Sequence, residues 1–136
     1  MINDTKKKLL IVDDEIDFLD TIAIRMEMRG FDVTKAADGS TALEKARRNR
    51  FDVMLLDLKM PGIHGKEVLE KIKKENEGIE VIILTAHGSN EASEETTRLG
   101  AFCFITKPID IDRLVTVINL ALESKGGGIS RVNDAD

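Results

Sequence analysis

Four short apolar runs, each stopping at residues with chemistry of their own, constrain the fold of this chain more than any other feature. Leu9–Val12 ends on Asp13-Asp14, Val53–Leu56 on Asp57, Val81–Leu84 on Thr85-Ala86, and Phe102–Ile105 on Thr106-Lys107. Uninterrupted apolar runs of this length suit strands buried on both faces. Between them the hydrophobic period lengthens. Phe18, Leu19, Ile22, Ala23 and Met26 form one helical stripe that stops before Gly30, and the short run Phe31–Lys35 reads as another strand. Ala42, Leu43 and Ala46, after a turn at Asp38-Gly39, mark a second helix, and Val68, Leu69 and Ile72 a third that closes near Gly78. A fourth spans about Gly88 to Leu99, and Leu114, Val115, Ile118, Ala121 and Leu122 mark the last. Five alternations of strand and helix with short connections predict an α/β domain, a parallel sheet covered by helices on both faces.

The chain of 136 residues is long enough for one such domain with a substantial core and too short for two. The domain is expected over 7–123. Residues 124–136 contain Gly126-Gly127-Gly128 and little apolar material, and read as a flexible tail or the start of a linker. The formal charge of −5 lacks the basic footprint of direct nucleic-acid binding. No stretch approaches the roughly 20 apolar residues that cross a bilayer, and the N-terminus has no signal-type run, so a cytoplasmic protein without membrane contact is expected. Cys103, the single cysteine, has no internal disulfide partner and reads as a structural thiol inside a strand.

In open parallel sheets ligands bind beyond the carboxyl ends of the strands, where Asp13, Asp14, Asp57, Thr85 and Lys107 would gather. Three carboxylates at one low-dielectric edge repel unless a cation sits among them, and a hard divalent ion, Mg²⁺ first, suits an all-oxygen site. Taken singly, each residue has a plainer role: Asp14 as a helix N-cap, Asp13 as a turn residue, Asp57 as a turn former before Pro61-Gly62, Lys107 as a loop cation. Lys107 precedes Pro108, which favours an extended or turn geometry and permits a cis bond. Thr85 offers a hydroxyl and Ala86 an N–H, both suited to phosphate oxygens.

The combination is far more specific than its parts. Ile11-Val12-Asp13-Asp14-Glu15, then Asp57-Leu58-Lys59-Met60-Pro61-Gly62 about 43 residues on, Thr85-Ala86 about 28 further and Thr106-Lys107-Pro108 about 22 beyond that resemble the receiver domain of bacterial two-component response regulators. The resemblance implies a flavodoxin-like, doubly wound sheet of five parallel strands in the order 2-1-3-4-5 with five helices. It implies that Asp57 accepts a phosphoryl group from the phosphohistidine of a sensor histidine kinase or phosphotransfer protein. Mg²⁺, with Mn²⁺ as a substitute, would be held by Asp13, Asp14, Asp57 and the backbone carbonyl of Lys59. Lys107 would balance phosphoryl charge, and Thr85 and Ala86 would close on the phosphoryl oxygens. Phe104, aromatic but without a tyrosine hydroxyl, would follow that movement and alter the helix 4, strand 5, helix 5 surface offered to a downstream protein, an output domain or a second copy. Lys59 and His87 flank the phosphoryl position and would tune its lifetime.

Two other classes stay open on the residues alone: a phosphatase-like enzyme using Asp57 for turnover, and a phosphorylation-independent interaction module. Lys59 stands where haloacid-dehalogenase-type enzymes carry a second aspartate, and no nucleotide-binding glycine motif is present. Whether the chain works as a single domain or as the receiver of a longer regulator is equally open. His64, just after Pro61-Gly62, is expected to be solvent-exposed. Three physical expectations complete the reading. Helix four offers only Ala92 and Leu99 for burial and should be loosely held. Val117 and Leu120 lie roughly 60 and 120 degrees from Leu114 around helix five and are candidates for a contact surface. Crowded charge should make metal-free protein the less stable form, with Asp13→Ala relieving it.

Overall fold

A computed structural model describes residues 6–60, 62–76 and 78–125. Strands β1 (Lys8–Val12), β2 (Asp32–Ala36), β3 (Val53–Leu56), β4 (Glu80–Thr85) and β5 (Cys103–Thr106) alternate with helices α1 (Ile16–Met28), α2 (Gly39–Arg48), α3 (Gly65–Glu75), α4 (Asn90–Arg98) and α5 (Ile111–Lys125). All strands are parallel and lie in the order β2-β1-β3-β4-β5. The five-stranded, doubly wound architecture is as expected.

Two-residue alternation in the strands sorts the core into two layers. Leu10, Val12, Met54, Leu56, Val81 and Ile83 face Ala42, Leu43 and Ala46 of α2 and Val68, Leu69 and Ile72 of α3. Leu9, Ile11, Val53, Leu55, Ile82 and Leu84 face Leu19, Ile22 and Met26 of α1 and Leu114, Ile118 and Ala121 of α5. Every residue of β3 is buried, as are all of β1 after Lys8 and all of β4 after Glu80, whereas edge strand β5 is buried nowhere along its length.

Local differences from the sequence reading have simple causes. Gly39 opens α2 instead of closing a turn, because Asp38 is the N-cap and its carboxylate accepts the Thr41 N–H at 2.7 Å. α3 stops at Glu75, where the Asn76 N–H still bonds the Ile72 carbonyl, before Gly78 is reached. β2 and β5 each begin one residue later than expected: the Phe31 N–H is taken by the Met26 carbonyl at the end of α1, and Phe102 is buried just ahead of β5. α5 continues through Ser124, whose hydroxyl donates to the Ala121 carbonyl, and the rest of the expected tail, from 126 onward, lies outside the described residues. In α4 the buried residue is Thr96, which the sequence reading passed over; its hydroxyl donates to the Ala92 and Ser93 carbonyls, while Ala92 and Leu99 are only half-buried. Val117 and Leu120 are half-buried and pack against the α1/α5 layer. Cys103 is half-buried on β5, and burial pushes its thiol up to about 12. Among the described residues no helix is long and apolar enough to cross a membrane.

Candidate functional site

The sheet ladder itself aims the site. The N–H of Asp13 bonds the Ala36 carbonyl at 3.1 Å, that of Asp57 the Val12 carbonyl at 3.0 Å, and that of Lys107 the Thr85 carbonyl at 2.9 Å. Each of these three candidate residues is therefore held by the last rung of a parallel ladder while its side chain extends past the strand ends. Strand order reverses between β1 and β3, which leaves a crevice at that edge.

Asp13, Asp14 and Asp57 meet there, each offering a carboxylate oxygen within 4.8 Å of the others. Asp13 and Asp57 are 2 % and 4 % exposed, and Asp14 is open to solvent. Asp14 does not cap a helix, because the N-cap of α1 is Glu15, which makes no side-chain cap bond. Lys107, with only 8 % of its side chain exposed, places Nζ 2.6 Å from Asp13 Oδ2, 3.3 Å from Glu15 Oε1 and 3.6 Å from Asp57 Oδ2. The peptide bond between Lys107 and Pro108 is cis.

Asp57 Oδ1 accepts two hydrogen bonds, from the Thr85 hydroxyl at 2.6 Å and the Lys59 N–H at 3.2 Å. The Thr85 hydroxyl in turn accepts the His87 N–H at 3.1 Å. Thr85 is fully buried, while Ala86 and His87 are exposed in the turn that follows. His64 is exposed as the N-cap of α3, away from this cluster of bonds, and its side chain makes no cap bond.

The titration behaviour matches a site short of positive charge. Burial raises the Asp13 carboxyl above its ordinary value despite the opposing Lys107 hydrogen bond. Burial pulls Lys107 down, but the hydrogen bond and charge of Asp13, with Asp57 and Glu15 behind them, leave it raised overall. Four carboxylates face one ammonium here, and a divalent cation among hard carboxylate oxygens would supply the missing charge. The donor set fits Mg²⁺ or Mn²⁺ and lacks the soft ligands that favour zinc or copper.

Three neighbours of the site were not singled out by the sequence reading. Glu15 pairs with Lys107, and its N–H donates to Asp13 Oδ1 at 2.9 Å. A Cβ on Gly65 would lie 2.5 Å from Leu58 Cα and 2.6 Å from the Asp57 carbonyl oxygen, so only glycine lets α3 start this close to the acid loop. A Cβ on Gly88 would come within 2.7 Å of Thr106 Oγ1 and 3.1 Å of Phe104 Cε1, so the β4–α4 turn lies directly on Phe104. For the two glycines the available signal was their place between a candidate site residue and the following helix, in the β3–α3 and β4–α4 connections.

Residues 9–119 match the family described as "Response regulator receiver domain". The chain is 36 % identical over 119 residues to sporulation initiation phosphotransferase F of Bacillus subtilis, covering 88 % of this chain and 96 % of that protein. It is 38 % identical over 115 residues to the transcriptional regulatory protein GlrR of Escherichia coli, covering 85 % of this chain but only 26 % of GlrR, so it spans about a quarter of that relative's length. Among solved structures it superimposes on a CheY-like response regulator receiver domain protein from Methanospirillum hungatei with a TM-score of 0.87 and 33 % identity, covering 90 % of this chain and 98 % of that one.

Proposed function

Because the chain belongs to the response regulator receiver domain family of two-component systems, we propose that it is a phosphorylation-dependent switch in which Asp57 takes a phosphoryl group from a histidine kinase or phosphotransfer protein. The observation that carries this reading is the charge arrangement: three carboxylates within 4.8 Å of one another and the Lys107 ammonium 3.6 Å from Asp57 Oδ2.

An Asp57 oxygen attacks phosphorus, the P–N bond of the phosphohistidine breaks, and the imidazole leaves with the bonding pair. Asp13, Asp14, Asp57 and the Lys59 carbonyl would hold Mg²⁺, which when bound would supply positive charge to the phosphoryl oxygens. Lys107 stabilises the charge that spreads over those oxygens in the transition state, so the protein contributes positioning and electrostatics. The Thr85 hydroxyl, already bonded to Asp57 at 2.6 Å, then turns to a phosphoryl oxygen with the Ala86 N–H beside it. That movement reaches Phe104 through the turn containing Gly88, and alters the α4, β5, α5 surface read by a downstream protein, an output domain or a second copy. Lys59 and His87 flank the acyl phosphate and set its lifetime, with no turnover beyond slow self-hydrolysis.

The exposed face of α1 offers the phosphodonor a landing surface. Ile16, Ile24 and Met28 are 52 %, 57 % and 77 % exposed, and these large exposed hydrophobic residues all lie on α1, which begins immediately after the acid pair.

Intact-mass measurement after incubation with Mg²⁺ and acetyl phosphate tests the core of the reading. One phosphoryl group is expected, absent in Asp57→Asn and in metal-free protein. No adduct, together with failure to bind beryllofluoride, would overturn it in favour of a phosphorylation-independent module; release of many equivalents of phosphate would favour an enzyme.

A further inference from the structure

Lys107 is gripped on more than its acidic side. Its ammonium lies 4.0 Å from the centroid of the Phe18 ring, inside the range of a cation–π contact. Phe18 stands in the first turn of α1 and packs against the α1/α5 core layer, so the ring is anchored from behind. We propose that Phe18 is a positioning residue for phosphoryl transfer, holding the Lys107 ammonium against the acceptor edge and shielding it from water. This inference rests on the acceptor role of Asp57 proposed above.

The physical case starts from the freedom of a lysine. Four rotatable bonds let an ammonium swing widely, and one that forms an ion pair with Asp13 alone can rotate out to water while keeping a carboxylate partner. At this site Asp13, Glu15 and Asp57 account for the acidic contacts, and the quadrupole of the ring attracts the same charge without taking up an N–H donor. The donors stay available to carboxylate or phosphoryl oxygens. Replacing water by an aromatic face also strengthens the ammonium's field at the reacting phosphorus, since fixed groups in a dry site screen less than water. An aliphatic residue would fill the space but provide no attraction, which separates positioning from packing.

The test replaces Phe18 by Leu, by Trp, and by pentafluorophenylalanine, which keeps the ring's shape while reversing its quadrupole. Two readouts are taken on the full chain. The first is the chemical shift of the Lys107 ε-methylene protons, which ring current should displace upfield in the native protein and in Phe18→Trp but not in Phe18→Leu. The second is the rate of Asp57 phosphorylation by acetyl phosphate at saturating Mg²⁺. Phe18→Leu and the pentafluoro variant should be roughly five- to tenfold slower, the scale of a partly desolvated cation–π contact, with Mg²⁺ affinity unchanged. Phe18→Trp should restore the rate, and because the chain has no tryptophan of its own, it adds a fluorophore beside Lys107. A pentafluoro variant as fast as the native chain would overturn the inference. So would native Lys107 protons at their ordinary shift, a result that holds even if Asp57 accepts no phosphoryl group and the functional reading itself fails.

Discussion

Gly65→Ala should damage the site through the backbone while adding only one methyl group. The new Cβ would stand 2.5 Å from Leu58 Cα, 2.6 Å from the Asp57 carbonyl oxygen and 3.0 Å from that of Leu58, whereas ordinary contact begins at 3.4 Å. Something must therefore move by about 0.8 to 0.9 Å. All three clashing atoms are main chain, and the Gly65 N–H is itself bonded to the Leu58 carbonyl at 3.0 Å, so no rotamer change can relieve the overlap. Overpacking of this kind costs about 1–3 kcal/mol, offset by up to about 1 kcal/mol from the better helix propensity of alanine. A net loss of up to about 3 kcal/mol should appear in urea unfolding as a lower midpoint at constant slope. Displacement of Asp57 and Lys59 should slow phosphorylation by acetyl phosphate by about tenfold to a hundredfold, the scale on which a 1 Å misplacement acts. Gly62→Ala is the control. Its φ of +79° strains an alanine, yet nothing lies within 4 Å of the new Cβ, so stability should fall while Asp57 keeps its geometry and its rate. Gly65→Ala with native stability and native phosphorylation would refute the steric reasoning.

At the N-cap of α2, the Thr41 backbone N–H holds the Asp38 carboxyl below its ordinary value, so its stabilisation is present above the unfolded value of 3.8 and is lost as pH falls through the lower folded value. Asp38→Ala should cost about 1 kcal/mol at pH 7, and urea titrations should show the gap from the native chain closing in acid. The burial of the Asp13–Lys107 pair moves the expected relief of charge crowding from Asp13 to Asp14: metal-free Asp14→Asn should melt higher than native protein, by up to about 1 kcal/mol, and should gain less from Mg²⁺, whereas Asp13→Ala removes the nearest of the three carboxylates around a buried ammonium and should be the less stable of the two. A thermal melt with and without Mg²⁺ decides both. Finally, α4 amides should exchange at least about tenfold faster than those of β3 and β4, because Thr96 is its only buried residue; equal protection would show the helix to be firmly held.

The central strands were legible because burial on both faces leaves an unbroken apolar run that no helix of this amphipathic chain imitates. Val53–Leu56 was placed to the residue. The same runs located Asp13, Asp57 and Thr85, since each acid or hydroxyl ends an apolar stretch. Contacts between elements far apart in sequence were not legible. Nothing in the order of residues says that Lys107 takes Asp13 as its nearest partner, that Glu15 joins them, or that Phe18 turns its ring to the ammonium. Thr96 was missed because its hydroxyl is satisfied by its own helix, which lets a polar residue be buried where a periodicity count expects an apolar one.

Burial divides the domain in a way that bears on switching. Asp13 and Asp57 directly follow β1 and β3, whose residues beyond Lys8 are all buried, so the acid edge rests on the part of the sheet least able to yield. Lys107 and Phe104 belong to the β5 side, where the strand is half-buried and the adjoining α4 contributes one buried threonine. Thr85 joins the halves: it ends buried β4, pairs with Thr106 across the last rung of the sheet, accepts the Lys107 N–H on its carbonyl and donates its hydroxyl to Asp57. A phosphoryl group on Asp57, if it drew this hydroxyl away as proposed, would change a bond fixed on the rigid side. On the proposed reading the displacement would be taken up where packing is thinnest, in the β4–α4 turn lying on Phe104. Gly88 makes that coupling short, because the turn and the ring are in contact before any signal arrives. On the proposed reading, the weak packing of α4 and β5 is what lets a small change at one carboxylate alter a surface on the far side of Thr85.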